Sequence, residues 1–146
     1  MRLSTRTRYA ARALLDLALH QEDEPISLRE IVTRQGVSRK YLEQLFAALQ
    51  AAGLVRSVRG RRGGYALARP PEAITVRDIY EVAEGAEDVP PCDEAPGILR
   101  AEECVMQDVW AEMHAAMVGV LEGLSLADLA RRAEERAGSA GAMYQI

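Results

Sequence analysis

Two sets of side chains in this sequence have the types and spacing to do chemistry. Five arginines, Arg56, Arg59, Arg61, Arg62 and Arg69, crowd a glycine-rich turn in "VRSVRGRRGGYALARP", residues 55 to 70. A guanidinium stays charged at any physiological pH and forks onto phosphate oxygens, so this stretch reads as a surface for a polyanion. The other set is a thiol pair. Cys92 and Cys104 are the only cysteines of the chain, and two thiols can close a disulfide, or one can be oxidised and the other resolve it. Asp93, Glu94, Glu102, Glu103 and Asp108 surround them, and carboxylates raise a thiol's pKa where Lys or Arg would lower it. Two cysteines are too few for a secreted disulfide scaffold and suit a reducing compartment.

Charge is divided along the chain. Residues 1 to 70 carry 13 Lys/Arg against 6 Asp/Glu, a net +7; residues 71 to 146 carry 5 against 16, a net −11, and together these give the overall −4. A basic half is the electrostatic footprint of a nucleic-acid-binding face, while phosphate would repel the acidic half, which must point elsewhere. No apolar run approaches the ~18 residues that a membrane-spanning helix needs. The N-terminal "MRLSTRTRYAARALLDLAL" has a basic stretch before apolar residues, as a signal peptide does, but Asp16 interrupts it and no small-residue cleavage site follows. It is expected to be an amphipathic helix of a cytoplasmic protein.

Helices must position both sets. Tyr9, Ala10, Ala13, Leu14, Leu17 and Ala18 form a stripe at helical spacing over residues 5 to 20. In "ISLREI" Ser27 caps a short helix, Glu30 reaches back three residues, Ile26 and Ile31 form a staple, and Gly36 suits the left-handed stop. A further helix restarts at Ser38 with Leu42, Leu45, Phe46 and Leu49 facing inward, and closes at Gly53. Two helices joined by a tight glycine turn are a helix-turn-helix. The second leaves Arg39, Lys40, Tyr41, Glu43, Gln44 and Gln50 on an outer face, types that reach guanine, adenine and cytosine edges from a helix in the major groove. "LVRSV" and "YALA" then flank "RGRRGG", whose glycines suit a hairpin turn. A hairpin after a helix-turn-helix is a wing, and an arginine-loaded wing belongs on the DNA backbone or in the minor groove. Gly60, Gly63 and Gly64 would allow the turn and a close approach to the sugar-phosphate chain.

A capped helix starts at Thr75 and Asp78 with the Ile74/Ile79 staple and ends at Gly85. The proline-rich, acidic stretch to about residue 101 reads as a loop. Val105, Val109, Met113, Ala116, Val120 and Leu124 then recur at steps of three and four. That apolar stripe is longer than so small a domain can cover and points to a partner helix from a second copy, with Met106, Trp110 and Met117 in the dimer core. A last helix starts at Ser125 with Asp128 and fades by Gly138. The expected division is a DNA-binding unit over 1–84, a sensor loop over 85–103, dimerisation and C-terminal helices over 104–137, and a flexible tail over 138–146. The fold class is mainly α with a small β-hairpin wing, a winged helix-turn-helix plus a long C-terminal dimerisation helix.

"MRLSTRTRYAARALLDLAL", "GVSRKYLEQLFAALQAAGLVRSVRGRRGGYALARP" and the "CDEAPGILRAEEC" loop before a long helix resemble the IscR/NsrR-like family of bacterial winged-helix transcriptional regulators. The resemblance covers residues 1 to 136. It implies a homodimer on a palindromic promoter element of double-stranded DNA; the regulator is expected to act mainly as a repressor. It also carries Ser38, Tyr41 and Glu43 over as recognition-helix residues and Arg59 as a minor-groove arginine. Lys40 stands where relatives often have a smaller polar residue, so the operator can differ. DNA-contacting residues are therefore expected among Ser38, Arg39, Lys40, Tyr41, Glu43, Gln44, Arg56, Arg59, Arg61 and Arg62.

Cluster-binding relatives have three loop cysteines and a fourth ligand, which implies a [2Fe-2S] centre at Cys92 and Cys104 that senses redox state, iron or nitric oxide. Here Ile98 takes the middle cysteine's place and Gln107 that of a downstream histidine. Two of four ligands are thus unaccounted for, with the nearby carboxylates, His20 and His114 as candidates. A cluster with mixed ligation, a thiol switch without a cluster, and a pair that does neither all remain open. The resemblance further implies a possible protein partner. An enzyme is not expected, since no nucleophile-base-acid set, three-ligand metal motif or phosphate-binding glycine loop occurs.

Overall fold

A computed structural model of the chain describes residues 3–20, 22, 24–97 and 99–144. Six α-helices and one two-stranded antiparallel sheet run through them. The first helix, α1 (Thr5–His20), buries Ala10, Ala13, Leu14 and Leu17 completely, and the two alanines let its neighbours pack close. Asp16 is buried with them. It survives there because Arg34 forks onto it, Nε to Oδ1 at 2.9 Å and Nη2 to Oδ2 at 2.8 Å, while Gln35 adds a 3.3 Å bond. The residue that breaks the apolar run therefore pins α1 to α2.

Capping sets the next boundaries. In α2 (Leu28–Gln35) the Ser27 hydroxyl accepts from the Glu30 amide at 3.3 Å and the Glu30 carboxylate accepts from the Ser27 amide at 3.0 Å. Gly36 stops the helix at φ 65°. The following α3 (Arg39–Ala51) starts on Ser38, whose Oγ accepts from the Tyr41 amide at 3.2 Å, and its Leu42, Leu45, Phe46 and Leu49 join the core. Strands β1 (Val55–Val58) and β2 (Gly64–Leu67) pair Val55 with Leu67 and Val58 with Gly64. Ile26 and Tyr65 exchange backbone bonds of 2.9 and 2.8 Å, which ties the hairpin to the start of α2. A Cβ on Gly64 would drive into the Ile26 carbonyl, and one on Gly63 into the Val58 carbonyl. Both glycines thus permit a close approach to the protein's own backbone.

The C-terminal half wraps back onto this unit. Helix α4 (Val76–Glu84) is capped by Thr75 and Asp78 as expected. The segment between α4 and α5 contains only a 3-10 turn, Cys92–Glu94, among its described residues. Helix α5 (Ala101–Glu122) begins at about the residue where the proline-rich loop was expected to end, with Glu103 accepting from the Arg100 amide at 3.1 Å, so Cys104 lies inside its first turn. At the far end, Val76 donates to Leu124 O and Leu126 to Ile74 O, at 2.9 and 2.8 Å, sewing the α5–α6 turn onto the start of α4. Arg77 bridges Glu81 and Glu122.

Leu126 is fully buried and leads α6 (Leu126–Met143), which packs on α1. The helix continues through 138–143, where a loose tail was expected. Ala137, Ala140 and Ala142 favour it, and Ser139 Oγ donates to Glu135 O at 2.9 Å. Residues 145 and 146 of that tail lie outside the described residues.

Candidate nucleic-acid interface and thiol pair

The outer face of α3 is the first half of the interface. Arg39, Lys40, Glu43 and Gln44 are exposed and Tyr41 is half-buried, because the inward stripe of α3 leaves these positions toward solvent. Arg39 Nε donates to Glu43 Oε1 at 2.9 Å, so the carboxylate holds the guanidinium against the helix. The Ser38 hydroxyl accepts from the Tyr41 amide as a cap, which leaves its own hydrogen to donate outward. Gln50 belongs elsewhere: its Nε2 donates to Ser57 Oγ at 3.4 Å and links the end of α3 to β1.

The wing is the second half. Arg56 and Arg59 are exposed, and with Arg61 they make no ion pair among the described residues. Gly60, at φ 117°, adopts a conformation that side-chain-bearing residues rarely reach, and Gly63 N donates to Gly60 O at 3.0 Å to close the turn. Arg62 is engaged by Glu24 Oε1 at 2.8 Å. Arg61 and Arg62 line a cleft of about 610 Å³ with His20, Glu22, Glu24 and Glu30, so the wing tip leans toward an acidic loop. Arg69 is not part of the turn; it is half-buried and pairs with Asp78 of α4 at 3.5 Å. Sequence reasoning missed Glu24 because its partner is 38 residues away.

The thiols meet. Cys92, in the 3-10 turn, and Cys104, in the first turn of α5, form a disulfide with Cα atoms 5.1 Å apart, within the usual 4.4–6.8 Å range. Two further ties fasten the loop: the Cys92 amide donates to Asp108 Oδ1 at 2.9 Å, and Gln107 Nε2 donates to Pro90 O at 2.7 Å. Gln107 thus does structural work at the position where a histidine ligand was sought. Ile98 lies outside the described residues. Among the described residues no three His, Cys, Asp or Glu side chains gather as a metal site. One chain supplies two sulfurs, joined to each other, where a [2Fe-2S] centre needs four ligands, so the donor set of a single chain does not fit that group. His20 Nδ1 sits 2.9 Å from the Asp16 carbonyl oxygen on α1, and His114 lines an apolar cleft with Tyr80 and Trp110; neither is grouped with the thiols.

A family model described as an iron-dependent transcriptional regulator, Rrf2, matches residues 3–132. The chain belongs to the Rrf2 family. Protein rrf2 of Nitratidesulfovibrio vulgaris is 42% identical over 134 residues, 91% of this chain and 89% of that protein. Among solved structures, T. potens IscR superposes with a TM-score of 0.77 at 41% identity, covering 93% of this chain and 90% of that one. CymR, the global cysteine regulator of B. subtilis, gives 0.75 at 37%, covering 90% and 98%. As an Rrf2 member the chain is a DNA-binding transcriptional regulator with a winged helix-turn-helix, and not an enzyme. No helix among the described residues is long and apolar enough to cross a membrane.

Proposed function

We propose that this chain binds a palindromic promoter element as a homodimer in the cytoplasm, mainly as a repressor, and that the state of Cys92 and Cys104 changes how it binds. The observation that carries this reading is the disulfide between the 85–100 loop and the first turn of α5. Disulfides in a reducing compartment are typically transient and redox-sensing, and this one ties the loop to the helix best placed to join two copies.

The dimer seam is written on α5. Among its described residues none is buried, and Val105, Met106, Val109, Trp110, Met113 and Val120 are all exposed. A patch of that size on a regulator is covered by a partner, and the stripe spacing suits a second α5. Reading heads then come in pairs, and operator half-sites one helical turn apart accept only one arrangement of them. Opening or closing the disulfide changes what holds the start of α5 and so biases that arrangement.

On α3, Ser38, Arg39, Lys40, Tyr41, Glu43 and Gln44 would read base edges and phosphates, while Arg56, Arg59, Arg61 and Arg62 would lie on the backbone or in the minor groove. Titrating a labelled duplex from upstream of the chain's own gene, beside a scrambled duplex, tests this. The expected result is preference for the promoter duplex at a stoichiometry of two chains; equal binding to both, or none, overturns it.

The family's description as iron-dependent supports one other reading of the thiols. They would be two ligands of a [2Fe-2S] centre, completed by donors that one chain does not assemble. Iron and sulfide content of protein prepared without oxygen decides this: near two irons per chain, lost in both Cys92→Ala and Cys104→Ala, establishes the centre, and an iron-free chain after reconstitution removes it.

A further inference from the structure

Helix α1 carries a basic flank of its own beside the recognition helix. Arg6, Tyr9 and Arg12 fall three residues apart in turn, so they run down one side of the helix. The Tyr9 ring meets Tyr41 of α3 edge-on, with centroids 5.7 Å apart. The Arg12 guanidinium lies 5.3 Å from the centre of the Tyr9 ring, and its Nη2 reaches the Gln35 carbonyl oxygen at 3.5 Å, just before the turn between α2 and α3. Arg6 shares a shallow cleft with Tyr41, Gln44 and Leu45. Both arginines are exposed, and neither belongs to an ion pair among the described residues. Glu84 is the acid that feels Arg6, and its carboxylate is already bonded by Ser4 and Thr7.

We propose that Arg6 and Arg12 form a second phosphate-contacting edge for duplex DNA, alongside the N-terminal half of α3. This rests on the reading of α3 as the helix that enters the groove. A helix seated in the major groove has a phosphate strand on each side, and contacts to both strands fix its register. The wing can serve only one of these. Its arginines Arg61 and Arg62 lie beside His20, at the C-terminal end of α1, whereas Arg6 lies fourteen residues earlier, about 21 Å away along the axis at ~1.5 Å per residue. The two basic centres therefore stand at opposite ends of α1, with Arg12 between them beside the helix-turn-helix turn. Tyr9 and Tyr41 form the rigid link: Arg12 rests on Tyr9, Tyr9 on Tyr41, and Tyr41 is on the reading face. The edge positions the protein and carries no base preference of its own.

The test is the salt dependence of binding to the promoter duplex and to a scrambled duplex. It compares wild type with Arg6→Ala/Arg12→Ala, Arg6→Lys/Arg12→Lys and, as a control for charge loss outside the interface, the exposed Arg132→Ala on α6. The alanine pair is expected to flatten the log–log slope by about 0.9 for each phosphate that is no longer neutralised, so by roughly one to four units for a dimer. Both duplexes should weaken by the same factor, and the lysine pair should recover most of the slope. An unchanged slope in the alanine pair, while wild type keeps its salt dependence, overturns the edge and leaves the recognition helix standing. So does an equal loss in the lysine pair, which marks a packing role, or in Arg132→Ala, which marks bulk charge. A wild type that binds neither duplex fails at the level of the DNA-binding reading and takes the edge with it.

Discussion

Glu24 is the residue that most alters what the wing can do. An exposed ion pair contributes little to stability, but a carboxylate 2.8 Å from Arg62 competes directly with a phosphate for the same guanidinium. Glu24→Gln should therefore bind both promoter and scrambled DNA more tightly, with a salt slope steeper by up to about one unit per chain, and the gain should vanish in an Arg62→Ala background. Anisotropy titrations of the four variants measure this. The wing arginines were legible as a group, because their density around glycines is a local pattern. Which of them is free was not, since Glu24 and Asp78 come from distant parts of the chain. Arg6 and Arg12 were hidden for a similar reason. A helix wheel shows the flank, but only the packing of Tyr9 on Tyr41 shows that it lies beside the reading helix.

Elements were the most legible level, because each boundary rests on a short-range device. Ser27 with Glu30, Thr75 with Asp78 and Ser125 with Asp128 all form the expected reciprocal caps. Two of these caps, together with the bonds that Ser4 and Thr7 make to Glu84, set an acid limit. Hydrogen bonds from Ser27 hold the Glu30 carboxyl below its ordinary pKa of 4.5, those from Ser4 and Thr7 do the same for Glu84, and those from Ser125 lower Asp128. Because these folded-state values are depressed, their stabilisation is present above the unfolded pKa and is lost as pH falls through the folded one. The melting temperature should accordingly be flat down to about pH 5 and fall steadily below about pH 4. Between elements, Asp16→Ala strips Arg34 of its forked partner; with 31% of the Arg34 side chain exposed, the expected cost is about 2 kcal/mol, below the ~3–5 of a fully buried pair. Denaturant unfolding reads that number. Helix α6 runs further than its glycines suggest, because Gly138 and Gly141 signal an end while Ala137, Ala140 and Ala142 around them sustain the helix.

At the scale of the molecule, the chain is a charge dipole bent so that its basic half carries α3 and the wing while its acidic half carries the thiol loop and the long α5. The apolar stripe on α5 was readable from its period; that none of its described residues is buried within one chain needed coordinates. Met113→Asp, at a position 57% exposed, should leave the fold intact and convert the dimer to a monomer, with Trp110 fluorescence shifting to the red, as light scattering and emission spectra would report. The meeting of Cys92 and Cys104 was one of several open readings of the sequence, because whether two loop thiols touch depends on where the helix starts. The central claim is that this pair governs DNA binding. Its most direct test is to titrate promoter DNA with fully reduced protein and with protein oxidised until thiol counting finds none, beside Cys104→Ala. The account predicts affinities that differ at least about five-fold between the two states of the wild type, the lower bound of a typical allosteric coupling, and a variant indifferent to oxidation. Superimposable titrations in both states, with the thiols verified as open and closed, would contradict it.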